Sequence, residues 1–179
     1  MSETVARRRA SRSVADMIRS LVVVGGVVVV LVLIVPRPSA VNQPPVDVVG
    51  VAQGAKPDAS FPLSVPQSLP DEWRATSARL LDGTDHVQTW HVGYQTADAQ
   101  YAAVEQAKDA TATWLRANTQ DGDPVGTLTV AGALWTQYLH ENRLQRTLLF
   151  VHGDVTTLVT GTASWTDLAR LAASLEPAP

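Results

Sequence analysis

The sequence predicts an α+β protein: an N-terminal transmembrane helix followed by an exported domain with a mainly antiparallel β-sheet covered by two helices. Three observations lead there. Leu21 to Val35 reads LVVVGGVVVVLVLIV, with no charged or polar side chain. Further on, VGTLTV, LWTQYLH, LQRTLLFV and VTTLVTG follow one another through the short links AGA, ENR and HGD. Near the end, SWTDLARLAASLEP opens on a capping serine and repeats its apolar residues at helical spacing.

The apolar run comes first. Counted from Met17 to Val35 it is nineteen residues, about 28 Å as a helix and close to the ~30 Å of a bilayer's hydrocarbon core. Arg19 can snorkel to the headgroups. A buried strand pair is disfavoured, because a Val-Gly run of this length has no polar side to turn to water. A cleaved signal peptide is the stronger rival, but a cut after Ala40 would put Pro38 where a small residue belongs. The chain has no cysteine, so it has neither a lipidation site nor disulfides. Residues 17–35 therefore read as an uncleaved signal anchor. Arg7, Arg8, Arg9, Arg12 and Arg19 precede or open the span, and only Arg37 follows it before Lys56. The positive-inside rule then keeps residues 1–16 in the cytoplasm and places the C-terminal domain outside the cytoplasmic membrane. Beyond residue 37 the chain carries eight Lys and Arg against fifteen Asp and Glu. That surplus of negative charge repels phosphate backbones and disfavours nucleic acid as a partner.

Eight of the eleven prolines lie between Pro36 and Pro70, so residues 36–60 read as an extended linker. Within it, VDVVGVAQGA is a short strand or a helical turn. The exported domain covers residues 61–176. FPLSVP is its first strand or edge, since proline at both ends suits an edge. WRATSARLLDG and HVQTWHVGYQT are strands joined by a polar turn. QYAAVEQA has a helical composition but follows a strand so closely that it reads as the returning arm of a hairpin. DATATWLRANT is a short helix with Asp109 available as its cap and Ala110, Trp114 and Leu115 turned inward. The four strand-like runs form an antiparallel meander, because parallel pairing would need long crossovers. In the last helix Ser164 and Asp167 have capping-box spacing, and Trp165, Leu168, Leu171 and Leu175 share one side.

The chemistry-bearing residues form no established motif. His86, His91, His140 and His152 lack the close spacings of a metal site, and neither HExxH nor GxSxG occurs. Ser77 and Ser164 are available hydroxyls, the second already committed to a cap. Asp82, Asp85, Asp121, Asp123 and Asp154 fall in turns, where short carboxylates satisfy local backbone groups. No glycine loop suited to phosphates is present. The sequence thus assigns no catalytic, metal or cofactor residue, and no cofactor. Trp73, Trp90, Trp114, Trp135 and Trp165 read as core, with one or two free to line a groove. Strand alternation in TWHVGYQT puts Trp90, Val92 and Tyr94 on one side and His91, Gly93 and Gln95 on the other. His91, Gln95 and Trp73 are the speculative partner-binding residues.

Read together, Met17 and Ser20, Pro36-Arg37-Pro38, LPDEWRATSARL, TWHVGYQT, Gln100-Tyr101, the spacing of Gly132, Trp135 and Tyr138, and TGTAS give an order along nearly the whole chain. In that order it resembles a family of bacterial, mainly actinobacterial, single-pass membrane proteins known as domain of unknown function 4245. The resemblance implies a membrane anchor with an exported domain and transfers no catalytic residue. The functional expectation is a non-enzymatic envelope module. Its partners would be the bilayer, through residues 17–35, and an envelope protein, glycan or lipid. The alternative is a cell-envelope hydrolase with a site assembled across strands, which requires His91 to meet a carboxylate and a nucleophile.

Overall fold

The computed structural model describes residues 17–28, 30 and 44–179. The chain divides into two compact units, Met1–Gln43 and Pro44–Pro179. In the first, residues 17–28 are helical, and their large apolar side chains from Met17 to Val28 are all more than half exposed. Residues 29 and 31–35 of the expected span, the cytoplasmic segment 1–16 and residues 36–43 of the linker lie outside the described residues. Among the described residues no helix is long and apolar enough to cross a membrane.

The second unit is built on seven antiparallel strands: β2 (Arg74–Asp82), β3 (Gln88–Gln95), β4 (Tyr101–Lys108), β5 (Asp123–Val130), β6 (Ala133–His140), β7 (Gln145–His152) and β8 (Val155–Gly161). Their order across the sheet is β2-β3-β4-β8-β7-β6-β5. Two meanders, β2 to β4 and β5 to β8, thus meet along a central β4–β8 seam. Both seam strands are buried on both sides, whereas the outermost strand β5 is largely exposed. QYAAVEQA is therefore the returning hairpin arm, its helical composition overridden by pairing on both edges.

A smaller sheet pairs β1 (Ser64–Pro66) with β9 (Leu175–Pro177), so the proline-flanked first strand joins the far end of the chain and not the main sheet. The tie to the main sheet is made by side chains. Trp90 Nε1–H donates to the Ser64 carbonyl at 2.9 Å, and the buried Gln106 amide accepts from Ser64 N–H at 2.8 Å. Gln106 also donates to Ser64 Oγ and to Thr157 Oγ1.

Three helices, one more than expected, cover the sheet. Val48–Ala55 is the additional one, α1, inside the stretch read as linker. Asp47 caps it by accepting from Gly50 N–H at 2.9 Å, and a Cβ at Gly50 would collide with that carboxylate. Helix α3 (Trp165–Ala173) lies on the same side of the sheet. Its Leu168 and Leu171 are fully buried, each contributing roughly 1.5–3 kcal/mol by leaving water. Ser164 Oγ accepts from Asp167 N–H and donates to the Asp167 carboxylate, a variant of the expected capping box. The main core fills the space beneath α1 and α3 with Trp90, Val92, Tyr94, Val104, Leu148 and Val159.

Helix α2 (Ala112–Thr119) packs on the opposite side, where Trp114 joins Val87, Ala107 and Leu158 with Ala110 and Leu115 beside them. Its cap is Thr111, whose hydroxyl accepts from Trp114 N–H at 3.0 Å, and not Asp109. Asp109 has φ 51° and spends its N–H on the Asp154 carbonyl, extending the β4–β8 pairing past the strand end. The helix therefore starts later. Four tryptophans are buried as expected, and Trp165 is partly covered.

Candidate functional site

The α1 and α3 side of the sheet carries a half-open cavity of about 530 Å³. Trp135, Phe150, Gln106 and Thr157 rise from β6, β7, β4 and β8 to line it, and Ala172, Ala173 and Leu175 close it from the end of α3. Trp135 stacks on Phe150 with ring centroids 5.1 Å apart, and Phe150 in turn stacks on His152 at 6.2 Å. The hairpin turns supply the mouth. His152, Gly153 and Asp154 stand on one side, with Gly153 at φ 62° where only glycine turns easily. Ala131 and Ala133 stand on the other. Asp154 also pairs with Lys108 at 3.2 Å. The small residues at the rim leave volume, and the aromatic rings give it apolar walls. Gln106 and Thr157 already bond each other, so the floor asks little of an apolar occupant.

The opposite side of the sheet holds a different arrangement. Alternation along β3 places His91 there, directly opposite Arg79 on β2 and Glu105 on β4. His91 Nδ1 lies 2.6 Å from Glu105 Oε1, and Nε2 lies 2.9 Å from Ser77 Oγ. The two ionisable side chains are nearly buried, at 10% and 12% exposure. An ionised Glu105 can only accept, which fixes a proton on Nδ1. In the neutral imidazole Nε2 then accepts from the Ser77 hydroxyl. Two local features make room for this line. A β-bulge between Ala75 and Ser77 shifts the register of the edge strand. Gly93 lies below, where a Cβ would come within 2.6 Å of Ser77 Oγ and 3.4 Å of His91 Nε2. Burial raises the Tyr101 phenol above its usual range; Glu105 adds to the rise and Arg79 opposes it, so all three groups share one electrostatic neighbourhood.

The speculative residues separate. Gln95 ends β3, exposed, on the His91 side. Trp73 lies with the core on the other side, tilted against Tyr94 with centroids 6.3 Å apart, and burial pushes the Tyr94 phenol upward. His86 sits in a short 3₁₀ turn and not in a strand, where it reaches Asp82 at 3.1 Å. Among the described residues, no group of three His, Asp or Glu is placed to hold a metal ion. Sequence reasoning singled out His91 and considered Ser77, but missed Glu105 and the cavity. Glu105 is fourteen residues from His91, as is Ser77, a separation that carries information only once the strand register is known.

An antiparallel sheet with helices on both sides, carrying an apolar cavity on one and a polar hydrogen-bonded line on the other, defines an α+β domain whose architecture alone fixes no activity. By its sequence the chain belongs to the family described as protein of unknown function DUF4245, whose model matches residues 9–175. No curated protein matches the chain. Among solved structures it is similar to one titled as the crystal structure of MucB in complex with MucA(peri), with 12% identity and a TM-score of 0.38. That likeness covers 65% of this chain and 36% of the other, and at such a TM-score it supports no inference about fold or partner.

Proposed function

We propose that this protein is a membrane-anchored extracytoplasmic module whose exported domain binds a small apolar or amphiphilic ligand in the cavity beneath α3. The observation that carries the reading is the cavity itself. Its volume of about 530 Å³ falls in the ~300–1,000 Å³ range of small-molecule sites. Its walls are largely aromatic and aliphatic; the polar groups of its floor, Ser64, Gln106 and Thr157, already bond one another, and His152 and Asp154 at the mouth suit the polar end of an amphiphile. The anchor is residues 17–35, with residues 1–16 in the cytoplasm, and the exported domain is the compact unit 44–179, which includes α1 from the stretch 36–60. The exposed apolar side chains of residues 17–28 support a lipid setting for that helix.

The test uses residues 44–179, which form a compact unit. Titration with N-phenyl-1-naphthylamine should give a saturable one-site fluorescence increase, with energy transfer from Trp135. Ala173→Trp, which fills the α3 end of the cavity from an exposed helix position, should weaken it at least about tenfold, a change of ~1.4 kcal/mol. Linear, non-saturable binding, or affinity untouched by Ala173→Trp, would overturn the reading. A reporter fused after Pro179 and active only in the cytoplasm would overturn the orientation.

A further inference from the structure

The geometry points to a second, separate site: Ser77, His91 and Glu105 form a nucleophilic line able to accept the acyl group of an unhindered carboxylic ester. Each atom is in position for its part. Ser77 Oγ is 2.9 Å from the base that would take its proton, and that base is held by a carboxylate at 2.6 Å. This order of hydroxyl, imidazole and carboxylate activates a serine whatever the fold that presents it. Burial keeps water from loosening the inner pair, while Ser77 itself is only half-buried and can meet a substrate. Every contact is made across neighbouring strands, so the line is rigid without help from a loop.

In the acylation step Ser77 Oγ bonds to the ester carbonyl carbon and its proton passes to His91 Nε2. The carbon–oxygen bond to the leaving group then breaks, and the leaving alkoxide takes that proton. In the second step water attacks the acyl carbon, again giving a proton to Nε2. The acid leaves and Ser77 recovers its hydrogen. Glu105 acts as a positioning residue, holding the Nδ1–H tautomer and stabilising the transient imidazolium. Arg79 lies on the same side of β2 as Ser77, two residues and about 7 Å along the strand, and the Tyr101 phenol stands in the field of both Arg79 and Glu105. The Arg79 side chain is long enough to span that distance, and it is the donor proposed for the oxyanion. Amides are the poorer substrates, because their resonance lowers carbonyl electrophilicity.

The test is covalent labelling of the full chain, in mild detergent, with a fluorophosphonate probe, followed by peptide mapping. The expected result is one adduct per chain, on Ser77, formed by the folded protein and not by the urea-unfolded one. Glu105→Gln should slow labelling by roughly 10²–10⁴-fold at an unchanged melting temperature, and Ser77→Ala should abolish it. Hydrolysis of p-nitrophenyl acetate should follow the same ranking. No adduct on Ser77, or equal labelling after unfolding, overturns the proposal and leaves the line as a structural hydrogen-bond network. Mapping on the unsubstituted chain decides this even if a variant fails to fold. Ala173→Trp should leave labelling unchanged, so this site and the cavity stand or fall separately.

Discussion

Gln106→Leu tests how the small β1–β9 sheet is held to the main one. The substitution keeps the side-chain volume nearly constant and removes three hydrogen bonds. One is accepted from Ser64 N–H at 2.8 Å, and two are donated, to Ser64 Oγ at 3.0 Å and Thr157 Oγ1 at 3.2 Å. The hydroxyls can turn to other partners, so each donated bond is worth about 0.5–1.5 kcal/mol, whereas the stranded Ser64 N–H costs about 1–3 kcal/mol. Leucine recovers part of this through apolar burial, which leaves an expected loss of ~2–3 kcal/mol. Urea unfolding followed by tryptophan fluorescence should show a lower midpoint at constant slope. Pairing Gln106→Leu with Thr157→Val in a double-mutant cycle should return a coupling of about 0.5–1 kcal/mol. A Gln106→Leu protein within 0.5 kcal/mol of the parent, or strictly additive variants, would refute the idea that this amide fastens β1 to the sheet.

Two further outcomes are expected. Trp114→Phe removes the indole donor to Thr89 Oγ1 at 2.8 Å and leaves a small void under α2, costing about 1–3 kcal/mol by thermal or urea unfolding. The exposed His86 is raised above the usual histidine range by its hydrogen bond and charge contact with Asp82. Its stabilising contribution is therefore complete below the unfolded histidine pKa and lost as pH rises through the folded one. An NMR titration should show His86 falling back toward the ordinary value in Asp82→Asn, and high salt should shrink the difference.

Where local chemistry decided the structure, it was legible in the sequence. The Ser164 and Asp167 spacing marked α3, the three-residue links marked the β5–β8 meander, and alternation in TWHVGYQT sorted Trp90, Val92 and Tyr94 to the core. The exceptions each have a non-local cause. Thr111 replaces Asp109 as the α2 cap because the Asp109 N–H is claimed by Asp154, a residue 45 positions away. VVGVAQGA looks indifferent between strand and helix until Asp47 caps it and β2 receives its apolar side. The partner of β1 is a three-residue strand at the other end of the chain, too short to carry a pattern. The line through Ser77, His91 and Glu105 depends on the register of three strands, where a slip of one residue would send its members to opposite sides.

The central seam has a kinetic consequence. Residues joined across β4 and β8 are 47 to 59 positions apart, and β1 closes on β9 across more than a hundred. Neither meander has its inner edge satisfied until the other arrives, and Leu63 waits for the N–H of Ala178. Loop closure on that scale comes before the contacts that reward it, so the domain should fold late and as a unit, after its last residues have left the ribosome. Until then the bare edge of β4 is the segment most open to wrong pairing, and chains cut short before β8 should aggregate and not fold partway.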